Sequence, residues 1–375
     1  MAEDRDFDVV IAGSGPVGCA LSLALAGSRV SVARIGGESG AADRPIALSH
    51  GSRLILERLE TWKQIPGTPI ETIHVSQRRG FGRTVMRSTE HGLPALGYVA
   101  AYSEVLAALA AQTPAITATL KDWKADDKGV DLRLTRGGED VRMRTRLLVL
   151  ADGGATRGND RVSDYDQHAV TAEVATEHAH RGIAWERFTA EGPLALLPFR
   201  DRYAVVWSVR PATAAGLLGL ADREFLARLR ETFGGRLGEF VSVGPRAGFP
   251  LALRYSTVNP AARTLAVGNA AQTLHPVAGQ GLNLGLRDAW ELAQMLMDTP
   301  SEEIGTGRFV ARYARRRRLD RYAGIGVTDF LVRAFSSSFA PLAAARGAGL
   351  TLLDILPPAR RFLARRMIFG ARALP

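Results

Sequence analysis

The chain opens with an apolar, β-branched run at residues 7–12, which reads as a buried strand. A glycine-rich turn at 13–18, a helical stretch at 19–26 and a second strand at 30–33 follow. Residues 52–59 have the pattern of a short helix, 70–75 and 83–86 alternate as strands do, and 103–111 is an alanine-rich helix to be buried on a sheet. Clean alternation at 130–134 and 141–144, around Arg136-Gly137-Gly138-Glu139, predicts a hairpin. A buried strand at 147–151 then ends in Asp152-Gly153-Gly154. Between 169 and 253 the texture changes. Four alternating runs (171–175, 184–188, 194–198 and 203–209) and an amphipathic helix at 222–233 predict a mostly antiparallel sheet inserted into a nucleotide-binding unit. Its apolar face either covers a hydrophobic ligand or forms only core. A short strand at 264–267 leads into a glycine-rich loop, after which Trp290, Leu292, Ala293, Leu296 and Met297 recur at helical spacing. From 309 onward the chain is helical, and Pro357-Pro358 breaks it before a last basic amphipathic helix.

Composition narrows the class. A chain of 375 residues with 46% apolar and 23% charged residues holds one large or two modest globular domains. No run approaches the roughly 18 apolar residues that span a bilayer. The acidic start, Met1 to Asp6, lacks an apolar signal core, which together with the lone Cys19 predicts a cytoplasmic protein, peripheral to the inner membrane at most. One cysteine excludes a Cys-based metal framework, and no metal site is expected. The net charge of +10 is concentrated: from residue 305 there are 14 arginines against three aspartates, a net +11. That tail has no recognisable nucleic-acid motif, so nucleic acid is not expected as a partner. A basic face for an anionic membrane or an acidic partner, and a plain solvated arginine surface, are the two remaining readings.

Two stretches carry chemistry. Gly13-Ser14-Gly15-Pro16-Val17-Gly18 is a GxGxxG fingerprint between strand and helix. Gly13 serves the tight turn, Gly15 lets backbone approach a pyrophosphate at the helix N-terminus (with Pro16 opening the helix), and Gly18 lets helix pack on sheet. The second strand should close on an acid that holds ribose hydroxyls, but Arg34 stands there. An arginine can mark a 2′-phosphate; otherwise Glu38 supplies the carboxylate or ribose is held in another way. The second stretch runs from Gly268 to Asp288. Gly279 and Gly281 would let backbone approach a flat ligand, and the helix behind them aims its positive end at the loop.

The run His275-Pro276-Val277-Ala278-Gly279-Gln280-Gly281-Leu282-Asn283-Leu284-Gly285-Leu286-Arg287-Asp288 resembles the signature of the ubiquinone-biosynthesis hydroxylases, which are flavoprotein aromatic monooxygenases. The match is long and ungapped. Arg44-Pro45-Ile46-Ala47-Leu48 resembles a family segment whose arginine lies over the cofactor, and Asp152-Gly153 resembles its Asp-Gly motif. Most of the wider family has Gly-Asp where this chain has Gly268-Asn269; with Gln272, and with the run from Trp185 to Leu194, that departure is similar to the branch acting on 2-polyprenyl-6-methoxyphenols.

The resemblance implies an α/β fold: a Rossmann-like FAD-binding domain of the aromatic hydroxylase type (1–73, 98–165 and 254–300), an inserted mostly antiparallel β-sheet substrate domain (74–97 and 166–253) and a helical C-terminus (301–375). It implies FAD as cofactor, NAD(P)H as co-substrate, a polyprenyl phenol lipid as substrate and other ubiquinone-biosynthesis proteins as partners, while the choice between a monomer and a homo-oligomer stays open. The implied cofactor contacts are Gly13, Gly15, Pro16, Gly18, Arg44, Asp152, Gly153, Gly268, Asn269, Gly279, Gln280, Gly281, Leu282 and Asn283, the last at the ring edge. Pro276 would lie against the flavin. His275 either assists proton movement or only holds the loop. The implied reaction is hydroxylation para to the phenol oxygen. Hydroxylation of another ring position, a flavin reductase and a non-catalytic flavin-fold subunit stand as alternatives, while a halogenase lacks its Trp-x-Trp-x-Ile-Pro element.

Overall fold

A computed structural model of the chain describes residues 6–37, 43–78, 80–153, 160–256, 263–273, 279–335 and 340–370. The strand Phe7–Ala12 sits inside a six-stranded sheet, parallel to Val32–Ile35 on one side and to Glu139–Leu150 on the other. Its side chains alternate between two cores: Val9 and Ile11 pack with Leu147 and Val149, while Val10 and Ala12 pack with Leu148 and Leu150. A strand buried on both faces must be apolar throughout, which is why this segment shows no alternation.

Two expectations are refined. The hairpin strand at 141–144 and the buried strand at 147–151 are one strand of 12 residues. Its first half pairs antiparallel with Val130–Arg136, and its end pairs parallel with Thr264–Ala266. Exposure changes along it from an outer hairpin to the core, so a single strand reads as two patterns. The second strand runs Val32–Ile35, two residues later than its pattern suggested, so Arg34 lies within it.

Three helices serve this sheet: α1 (Pro16–Ala24), α2 (His50–Arg58) and α3 (Tyr102–Ala110). A small sheet of Pro45–Ser49, Gly97–Ala101 and Thr68–Ile70 bridges to the second layer. There a nine-stranded sheet is antiparallel except where Ile183–Phe188 meets Thr72–Gln77 in parallel. One face of it is covered by α4 (Pro211–Gly219) and α5 (Asp222–Phe233), through Trp207, Phe225, Leu229 and Phe233. The other face looks toward the first domain. Strand Ala247–Ser256 brings the chain back, and α6 (Gln280–Met297) packs beside α1. The rest is α7 (Gly307–Phe335), α8 (Ala340–Ile355) and α9 (Pro357–Phe369), the last opening at the expected proline pair. No helix among the described residues is long and apolar enough to cross a membrane.

Candidate active site

A cavity of about 1480 Å³ joins the two layers. A typical small-molecule site has about 300–1,000 Å³, so this one has room for more than one ligand. At one end its wall is the turn Gly13–Val17, with Gly36, Arg44, Asp152, Gly153, Asn269, Gly281 and Leu282. At the other end the wall is apolar, from the inserted sheet (Ile73, Val75, Met86, Phe188, Leu197) and from α8 and α9 (Leu350, Leu353, Leu363).

The glycine end fits a dinucleotide. Gly13 has φ +143°, and a Cβ there would run into the Ala151 carbonyl. Gly15 caps α1 with extended backbone; α1 has no side-chain cap and no acidic residue in its first turn. Its N–H groups and positive dipole end are thus left for an anion. The Ser14 hydroxyl is buried without a hydrogen-bond partner, as expected for a group whose partner is a bound molecule. Gly18 lies beneath the turn, where a Cβ would stand 2.6 Å from the Gly13 carbonyl oxygen. Arg44 lines the wall with its guanidinium 5.2 Å from the Tyr102 ring centre, and Tyr102 lines it as well.

Arg34 does not line this end. It is 5% exposed, and its guanidinium donates to the Thr113 carbonyl beneath the sheet. The wall is formed instead by Ile35, Gly36 and Gly37. Of the alternatives open for Arg34, a 2′-phosphate partner is not supported: it is an interior residue that ties the second strand to the turn after α3. Glu38 lies outside the described residues.

The loop before α6 divides into wall and support. Gly281 and Leu282 face the cavity, and Asn269 is exposed to it. Gly279 caps α6 in the left-handed region at φ +59°, and a Cβ there would stand 2.8 Å from Cβ of Ala47, so both conformation and space call for glycine. Asn283 is 2% exposed and does not line the main cavity. Its Oδ1 accepts from the Ser49 N–H and the Ser52 hydroxyl, both at 2.7 Å. Its Nδ2 donates to the carbonyls of Ala47 (3.0 Å) and Gly279 (2.6 Å). Four protein bonds exhaust an amide, so the expected ring-edge contact is corrected: Asn283 fastens the loop to the strand Pro45–Ser49. Gln280 lies with it beside a small neighbouring pocket of about 70 Å³. Gly268 donates its N–H to Asp288 Oδ2 at 3.0 Å and packs on Val17. His275 and Pro276 lie outside the described residues.

Two features escaped the sequence reading. Asp288 is held by Arg317 of α7 in the interior. Glu186 sits in the cavity wall at its apolar end, where burial pushes the carboxyl up to about 7. A signal for it existed: in the alternation Ala184-Trp185-Glu186-Arg187-Phe188 it shares the face of Ala184 and Phe188, which both line the cavity.

A family profile described as "FAD binding domain" matches residues 6–321. Ubiquinone hydroxylase UbiL of Rhodospirillum rubrum is 33% identical, over 96% of this chain and 89% of that protein. The 3-demethoxyubiquinol 3-hydroxylase of Escherichia coli is 29% identical, over 92% and 94%. Among solved structures, p-nitrophenol 4-monooxygenase PnpA of Pseudomonas putida superposes over 98% of both chains with a TM-score of 0.75 at 18% identity, a likeness of fold.

Proposed function

We propose, for a chain that belongs to the FAD-binding hydroxylase family of ubiquinone biosynthesis, hydroxylation of a 2-polyprenyl-6-methoxyphenol at the carbon para to its hydroxyl. The protein is a flavoprotein monooxygenase using FAD and NAD(P)H. The ring position and the prenyl phenol are our reading. The observation that carries it is one continuous cavity, glycine-lined at one end and apolar at the other.

When bound, FAD supplies the redox chemistry, taking two electrons from NAD(P)H and delivering one oxygen atom of O₂ to the substrate. The chain's own residues bind and orient. The α1 N-terminus with Gly13 to Pro16 would hold the pyrophosphate, and Arg44 would lie over the cofactor, its position set by Tyr102. Asn269 would hydrogen-bond a ribityl hydroxyl in place of the family's aspartate. Gly281 and Leu282 would face the ring, with the positive end of α6 behind them. The apolar sheet face and α8–α9 would take the substrate ring and first prenyl units and exclude water.

The same helices suggest how a lipid arrives. Leu352 and Ile355 of α8, Leu356 between the helices and Phe362 of α9 are exposed, as are Arg361 and Arg365, while Leu353 and Leu363 of those helices line the cavity. Greasy and cationic on one side and open to the cavity on the other, this surface suits a peripheral contact with an anionic bilayer.

The experiment is the visible spectrum of the purified protein, then NADH or NADPH oxidation with and without a short-chain 2-prenyl-6-methoxyphenol, with product analysis. Flavin bands, substrate-stimulated oxidation and a 1,4-benzoquinol product are expected. Flavin with no stimulation by any phenol would overturn the reading in favour of a reductase.

A further inference from the structure

Among the described residues, the apolar end of the cavity contains one carboxyl. Of the described lining residues Arg44, Asp152, Glu186 and Arg346 are charged, and Arg44 and Asp152 belong to the glycine end. Glu186 lies mid-strand in Ile183–Phe188, between Val75 of the parallel neighbour and Ala195 of the antiparallel one. It keeps accessible surface and lines the cavity, yet its carboxyl has no hydrogen-bond or ion-pair partner among the described residues. A carboxyl walled in by Ile73, Phe188 and Leu197 adds nothing to the sheet and destabilises it when ionised. It is the kind of group whose partner is the ligand.

We propose that Glu186 docks the phenol O–H of the substrate and accepts its proton during oxygen transfer. This deepens the hydroxylase reading and rests on it. The phenol O–H bond breaks, a new O–H forms on the Glu186 carboxylate, and the released electron pair moves through the ring to the para carbon that takes the oxygen atom. That carbon then sheds its hydrogen as a proton, and Glu186 returns a proton to the phenol oxygen, so the carboxylate is regenerated. The docking point also sets the ring position, because a phenol anchored by its oxygen at the apolar end turns the opposite carbon toward the glycine end.

Burial pushes Glu186 up to about 7, which narrows the gap to a phenol of ordinary pKa about 10. The flanking strands place Val75 and Ala195 beside it, neither of them titratable, and α8 contributes Arg346. His74, Arg187 and Arg236 belong to the opposite sheet face, around Trp185 and Phe233.

The test compares equilibrium binding of a short-chain 2-prenyl-6-methoxyphenol and its O-methyl ether to the flavin-loaded protein by calorimetry at pH 6 and pH 8. The ionised carboxylate accepts the phenol O–H and has nothing to accept from the ether. In the parent protein the preference for phenol over ether should rise about tenfold between the two pH values. In Glu186→Gln the preference should no longer change with pH. Glu186→Asp, with its charge on a shorter arm, should restore the dependence with a weaker preference. In hydroxylation assays the rise in rate through about pH 7 should vanish in Glu186→Gln while flavin content stays. A pH-dependent preference that survives in Glu186→Gln overturns the assignment alone. A flat preference in the parent protein overturns it without any variant having to fold. A parent protein that binds neither compound overturns the hydroxylase reading, and this assignment with it.

Discussion

Arg317 and Asp288 meet in the interior, Nε to Oδ1 at 2.7 Å, each with its side chain 1% exposed. The other Asp288 oxygen accepts the Gly268 N–H, so a helix of the basic tail is wired to the glycine loop of the active site. Arg317 also reaches Glu291 and Asp320, each at 2.9 Å. Burial works against its charge, and the surrounding acids and Tyr313 outweigh it, holding the guanidinium more firmly protonated than usual.

Arg317→Met would leave Asp288 buried without its counter-charge. Removing one partner of such a pair costs about 3–5 kcal/mol. Urea unfolding should show that loss. Replacement of the exposed neighbour Arg318 should change stability by less than about 0.5 kcal/mol. Equal effects of the two would show that the interior network carries no stability.

Asn283→Ala should strip four bonds and leave the Ser49 N–H and the Ala47 carbonyl without partners, at about 1–3 kcal/mol for each buried group left unsatisfied. Because the loop is what loosens, FAD affinity should fall along with the unfolding midpoint. A lowered midpoint with unchanged FAD affinity would separate the fastening role from the site.

Gly281→Val probes the wall. A Cβ there would have only Asn269 Oδ1 near it, at 3.8 Å, so the fold tolerates the side chain and the cavity volume does not. The expected product is a folded protein, by circular dichroism, without flavin absorbance. Undiminished FAD content would show that this loop does not face the cofactor.

His74 lies tilted against Trp185, ring centres 4.7 Å apart, and is 7% exposed. Burial first, then Arg236 and Arg83, push it down to about 4. Unfolded, it titrates near 6.5, so between these values the unfolded chain binds more protons and stability drains as the pH falls. The loss at pH 5 relative to pH 8 is about 2 kcal/mol. Glu186, raised in the fold, acts in the opposite direction, losing stability as the pH rises through about 7. His74→Gln should therefore resist acid better than the parent in urea titrations at the two pH values; parallel curves would refute it.

Ile355→Asp with Phe362→Asp replaces two exposed apolar side chains by like charges. Sedimentation with anionic vesicles should drop at least tenfold, since each replaced side chain gives up roughly 1.5–3 kcal/mol of apolar burial. Flavin content should not change. Equal sedimentation of both proteins would remove the membrane reading of this surface.

How the tail's charge divides was not legible in the sequence. Arg315, Arg316, Arg317 and Arg318 look alike in a row, and helical geometry turns only Arg317 inward. Asn283 likewise carried a signature match, yet its contacts come from Ala47, Ser49 and Ser52, more than 230 positions away. Arg34 sat at a motif position, and what it touches was set by where α3 ends.

What the sequence determined by itself is whatever local chemistry dictates. The strand–turn–helix at Gly13 to Gly18 follows from glycine's missing Cβ and a both-face-buried strand, and the run from Gly279 to Asp288 identifies the family through the backbone it demands. The tertiary structure alone decided which side chains face the cavity. Glu186 became a candidate only when the face of the inserted sheet, α8 and α9 came together around the cavity, because a carboxyl's proton affinity depends on the water that packing removes.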